Sequence, residues 1–275
     1  MDRGGNLLLA LDPIESAASS FTFQVERLYA GLIQAVKPNP AADCEPGMGG
    51  KLLYAGKLDA ESRAMVVAAN IAGAASLAAS ADSIARKQFM RDGVVDFLVT
   101  SLDEALRILK NEIRKRETVA VCVALEPKTV EAEMLARGVV PDLLRPGADD
   151  SPESASFLCL GARRVELVAP DKGKALLDWR VASSPAIWLP RLDAIAADCL
   201  QHEDGTARRW LRLAPRYLGR LAQGVRVLRC AENSAANFRE QVRKQVERGE
   251  IGVAVELRLS RSGQLEQCSF APPTC

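Results

Sequence analysis

GGKLLYAGKLDAESRAMVVAANIAGAASLAAS, residues 49–80, holds a strand, a helix and a second strand in close succession. Residues 51–55 are a short apolar run that enters a turn at Ala55-Gly56. Residues 61–73 read as a helix rich in alanine, whose small side chains suit close packing on a sheet. Residues 74–81 are the second strand candidate, although their alanine content leaves a helix open on propensity alone. The rhythm continues outward. Residues 94–99 make a short third strand. Residues 102–116 are a helix with Ser101 as its cap, Glu104 completing a capping box, and Leu102, Ala105, Leu106, Leu109 and Ile113 as its buried stripe. Residues 119–125 are wholly apolar, as at the centre of a parallel sheet. Residues 130–137 form a helix closed by Gly138 in a left-handed cap, and 141–144 lead into another strand. Short apolar runs alternating with longer amphipathic ones predict an α/β fold, a Rossmann-like doubly wound parallel sheet.

The flanks differ. Residues 16–36 form an amphipathic helix candidate with Phe23, Leu28, Leu32 and Val36 roughly on one face. KPNPAADCEPGMGG, residues 37–50, is a loop, because its prolines and glycines leave no room for a regular element. RPGADDSPESAS, residues 145–156, marks a boundary. Beyond it come two apolar runs, 157–160 and 165–168, separated by GARR. Two helices follow, about 189–202 and 206–223, then a short strand at 225–228 and a charged helix at 235–248. A terminal hairpin closes the chain, with VAVELRLS and QLEQCSF flanking Arg261-Ser262-Gly263 and Val253, Val255, Leu257 and Leu259 in strict alternation. The expected organisation is a helical segment over 1–44, the Rossmann-like domain over 45–150, and an added α+β portion over 151–275.

Composition narrows the function. With 48% hydrophobic residues in 275, the chain can bury a large core. A net charge of +1 gives no bulk attraction to nucleic acid or acidic membranes. No apolar run approaches membrane-spanning length, and LLLALDPIES lacks the features of a signal peptide. The seven cysteines are scattered, with no CxxC pair, and Cys122 and Cys159 lie in apolar strand-like runs. That usage fits a reducing cytoplasm. One histidine, His202, without ligand spacing around it, argues against a metal site, and no catalytic triad is built on it. Trp179 and Trp188 read as core or interface aromatics.

Four segments are more specific than the rhythm: GGKLLYAG (49–56), VVAANIAGAASLAASADSIARKQ (66–88), SLDEALRI (101–108) and MLARGVVPDLL (134–144). In order and wording they resemble the central nucleotide-binding domain of the urocanase (urocanate hydratase) family, over about residues 28–152. The resemblance implies a lyase of histidine degradation. Its tightly bound NAD+ joins covalently to an imidazole-bearing substrate, and water adds across the conjugated system without net redox. Such a domain needs a phosphate cradle, with bare glycines and a helix N-terminus facing the pyrophosphate.

The turns depart from that need. After Ala55-Gly56 the family continues with glycines, whereas this chain reads Lys57-Leu58-Asp59-Ala60-Glu61-Ser62-Arg63. Ser80 stands where the family has an acid for the ribose hydroxyls, with Asp82 two residues on. Glu126-Pro127-Lys128-Thr129 replaces a glycine-asparagine turn, and Arg145-Pro146-Gly147 replaces a polar loop. Counterparts of the family's flanking catalytic segments are not found, so no catalytic residue is assigned. By the resemblance, the candidate cofactor-binding positions are Gly56, Asp59, Ser62, Arg63, Ser80, Asp82 and Glu126. The expectation is a urocanase-like module in the cytoplasm that binds a small molecule or nucleotide, or serves structurally, without NAD or hydratase activity. Two alternatives stand beside it: a hydratase using NAD in a modified cleft, and anion or nucleic-acid binding through Arg208, Arg212, Arg216 and Arg220, which share a helix face. A nucleic-acid partner is disfavoured by the charge balance, a membrane is not expected, and a second copy of the chain stays open as a partner.

Overall fold

The computed structural model describes residues 13–36, 47–147, 151–167, 173–261 and 264–273, with side chains of the first helix from residue 20. Residues 37–46 of the loop expected over 37–50, part of the boundary segment, Val168 and the hairpin tip Ser262-Gly263 lie outside these residues.

A helix, α1 (Pro13–Ala35), precedes the βα series β1 (Leu52–Lys57), α2 (Ala60–Ala72), β2 (Ala75–Ala79), α3 (Ser83–Arg91), β3 (Phe97–Val99), α4 (Leu102–Lys115), β4 (Ala120–Val123), α5 (Pro127–Ala136), β5 (Leu143–Leu144), α6 (Pro152–Cys159) and β6 (Arg163–Arg164). The strands form one six-stranded sheet in the order β3-β4-β2-β1-β5-β6, every neighbouring pair parallel. Alternation along the strands feeds two cores. Leu53, Ala55, Ala78, Cys122 and Leu143 face α1 and α2. Leu52, Tyr54, Leu77, Val121, Val123 and Leu144 face α4, α5 and α6. Helices thus cover both faces, as in a doubly wound sheet. The alanines of β2 are all buried, because helices press on it from both sides.

Local chemistry sets the ends. Ser101 caps α4, but the Glu104 carboxylate reaches Thr100 N, one residue before the position a capping box requires. α5 starts earlier than expected, with Pro127 in its first turn, where a missing N–H costs nothing. Gly138 has φ 65 just past its end. The run at 157–160 is the end of helix α6 rather than a strand, and Cys159 is exposed. The strand of that region falls on GARR, at β6, so the parallel sheet runs past residue 150.

The C-terminal half adds β7 (Lys174–Val181), α7 (Pro185–Cys199), α8 (Gly205–Leu218), β8 (Arg226–Ala231), α9 (Glu232–Glu247), β9 (Val255–Arg261) and β10 (Gln264–Phe270). These strands make an antiparallel sheet in the order β10-β9-β7-β8. The expected hairpin is β9–β10. Its central neighbour, β7, was not expected. Ala175, Leu177 and Trp179 alternate toward the core, with Trp179 against Phe238 of α9 at 4.9 Å. No helix among the described residues is long and apolar enough to cross a membrane.

Candidate functional site

In the parallel sheet the chain moves outward from β1 through β2, then returns to place β5 on the other side of β1. The strand order reverses between β1 and β5. In open α/β sheets, ligands enter outside the carboxyl ends of the strands at such a reversal. A cavity of about 700 Å³ lies there. The first turn of α2 contributes Glu61, and the segment after β5 contributes Arg145 to Gly147. α1 lays Ser20, Phe23, Gln24, Arg27 and Leu28 along it. These positions fall on one helical face, so α1 forms a wall of the cavity.

The turn after β1 is built from side chains. β1 runs straight through Gly56, which sits at an irregularity in the β1–β2 register with φ 68. The turn proper is only Leu58-Asp59. Asp59 is the N-cap of α2: its Oδ1 accepts from Ser62 N at 2.9 Å, and Asp59 N donates to Ser62 Oγ at 2.7 Å. Arg145 reaches over from β5 and donates to Asp59 Oδ2 at 3.3 Å. Partial burial pushes the Asp59 carboxyl upward, but the Ser62 N–H and the Arg145 guanidinium outweigh it and hold it below the usual carboxylate range. A Cβ on Gly56 would lie 3.6 Å from Arg145 Nε. On the opposite face of β1, Tyr54 donates to Glu131 Oε1 at 2.9 Å. Burial and the adjacent Glu131 charge push the Tyr54 hydroxyl far up, so it stays protonated.

Gly56, Asp59 and Ser62 are thus brought together around Arg145. The other positions singled out from the sequence stand apart from that cluster. Arg63 pairs with Asp92 at 2.9 Å and lies over the rings of Phe21 and Phe89. Ser80 is buried at the end of β2; its Oγ accepts from Asp82 N, and its carbonyl accepts from Arg86 Nη1 at 2.6 Å. Asp82 caps α3 through Ile84 N and Ala85 N. Glu126 is the exposed N-cap residue of α5, without a side-chain cap bond. The cavity wall holds three charged residues outside the candidate positions, Arg27, Glu61 and Arg145. Arg145 was visible as a departure in the loop after β5. Arg27 shares the spacing of Phe23 and Leu28, but only the apolar members of that stripe drew attention.

The arginine series on α8 does not present one free basic face. Arg208 donates to the carbonyls of Leu200 and Gln201 at 2.6 and 2.9 Å, closing the end of α7. Arg209 donates to Ile71 O at 2.8 Å, closing the end of α2. Arg216 lies over the Tyr217 ring, and Arg220 falls beyond the helix in a short 3-10 turn.

NAD, which the resemblance implies, does not fit the turn as built. An N–H at the start of α2 that would meet a pyrophosphate is taken by the chain's own carboxylate, and a guanidinium closes over the glycine beside it. Residues 38–148 match the family model of the urocanase Rossmann-like domain. With its parallel strand order and its helices on both faces, this stretch of the chain is similar to the urocanase Rossmann-like domain, and its turn after β1 is filled by side chains.

Proposed function

We propose that the protein is a small-molecule binding module on a urocanase-like scaffold, without NAD binding or urocanate hydratase activity. One observation carries this reading. The α2 N-terminus, the anion site of such a domain, is occupied by Asp59 and locked by Arg145, while the cavity beside it remains large enough for a small ligand. The helix dipole that would favour a phosphate is already neutralised from within.

Two measurements test the reading. Purified protein supplied with NAD and urocanate is expected to leave the urocanate absorbance unchanged; turnover above background would restore the enzyme reading. In methyl-labelled protein, a small-fragment library is expected to shift the Met65 resonance, since Met65 floors the cavity. If no fragment moves it, the binding role falls.

A further inference from the structure

The cavity at the β1/β5 reversal carries opposite charges that do not meet. Arg27 of α1 and Glu61 of α2 both line it. Neither side chain has a hydrogen bond, ion pair or ring contact among the described residues, including with each other. Arg145, the other charged residue on the wall, is committed to Asp59. The same cavity is lined by the apolar side chains of Phe23, Leu28 and Met65, with Ser20 and Gln24 beside them. An unpaired cation and an unpaired anion in one partly apolar cavity complement a molecule with a carboxylate at one end, an ammonium at the other and an apolar body between. A dianion would meet Glu61 and the Asp59 carboxylate with one uncommitted arginine. A neutral apolar molecule would leave both charges to water.

We propose that this cavity binds a short apolar zwitterion with the chemistry of a hydrophobic dipeptide, its carboxylate on Arg27 and its ammonium on Glu61. Its volume, about 700 Å³, lies within the range of roughly 300–1,000 Å³ typical of small-ligand sites, with room for two apolar residues rather than one. The proposal rests on the reading that the cavity is a ligand site, and adds the class of ligand.

Calorimetric titration with L-leucyl-L-leucine, its N-acetyl derivative and its C-terminal amide separates the two claims. The free dipeptide should bind at least about tenfold more tightly than either blocked form, the value of one charge-assisted hydrogen bond. Glu61→Gln should erase the preference over the N-acetyl form alone. Arg27→Gln should erase the preference over the amide alone. Both side chains are exposed, so thermal melts should show the variants folded. Equal binding of all three forms, with the Met65 methyl shifted, would overturn the zwitterion and leave the ligand site standing. Absence of heat for all three overturns the zwitterion, and the fragment screen on Met65 then decides the ligand site on its own.

Discussion

Asp59 shows how one residue closes a strand-to-helix turn from within. Its carboxylate meets the helix N-terminus that a pyrophosphate would meet, and its charge holds Arg145 across Gly56. Replacing Asp59 and Glu61 with glycine removes bulk and two negative charges from the α2 entrance. The double variant is expected to gain NAD affinity over the wild type, read by calorimetric titration; an unchanged or weaker signal would show that the turn is not the obstacle. Glycine is an acceptable N-cap, so Asp59→Gly alone should cost no more than about 1 kcal/mol in urea unfolding. Leu109 is the contrasting case. It is 1% exposed against the sheet, so Leu109→Ala should cost roughly 2–5 kcal/mol, while half-buried Leu106 should cost less. The sequence made Leu109 legible because its stripe is periodic. It hid Asp59's role, because a charge at a turn reads as a loss of glycine until the partners 86 residues away are known.

At the scale of elements, regular patterning was readable and context was not. The helix of 102–116 and the β9–β10 hairpin were legible from caps and alternation. The 157–160 run was misread as a strand because four apolar residues carry no period; Ser151, which caps α6 through Ser154 N, was the missed signal. β7 was missed although Ala175, Leu177 and Trp179 alternate, because Lys174, Asp178 and Arg180 dilute the run. Asp193 joins two such elements. It sits on α7 and accepts from Arg226 Nε of β8 at 2.9 Å. Burial pushes its carboxyl up to about 6, outweighing Arg226. A folded-state value above the ordinary one means that this group's contribution is fully present below about pH 4. It is lost as the pH rises through about 6. The effect is on the order of 2–3 kcal/mol at most. Urea unfolding at pH 4.5 and 7.5 should show this slope in the wild type, and Asp193→Asn should flatten it. An identical slope in the variant would remove Asp193 as its source.

At the scale of the molecule, the two sheets share one hydrophobic cluster. Leu53, Ala55 and Ile71 of the Rossmann-like part pack in the same cluster as Trp210, Leu228 and Phe238. Arg209 is the polar rivet of that contact. Its guanidinium lies over Gly73, where a Cβ would be 2.4 Å from Nη2 and the backbone has φ 90. Gly73→Ala should therefore destabilise by more than about 1 kcal/mol, through left-handed strain and displacement of Arg209 together. All three tryptophans lie beyond residue 150, so their fluorescence reports on the other half of the molecule. The variant should lower the melting temperature seen by tryptophan. An unmoved tryptophan transition would mean that the halves unfold independently. Such joining was invisible in composition, which showed a boundary near 145–156 but not a helix on its far side gripping one on its near side.

The pair between Glu26 of α1 and Arg229 of β8 spans 203 residues of chain. During synthesis α1 leaves the ribosome before β8, and its apolar stripe can settle on α2 as soon as that helix has emerged. Glu26, 2% exposed in the finished protein, must wait for its arginine. At about 5–20 residues per second that delay is roughly 10–40 s. Throughout it the helix that walls the cavity carries a carboxylate it cannot yet bury. The α1 wall of the cavity is thus fully anchored only once β8 has been made, although the α1 residues that line the cavity precede β8 in the chain.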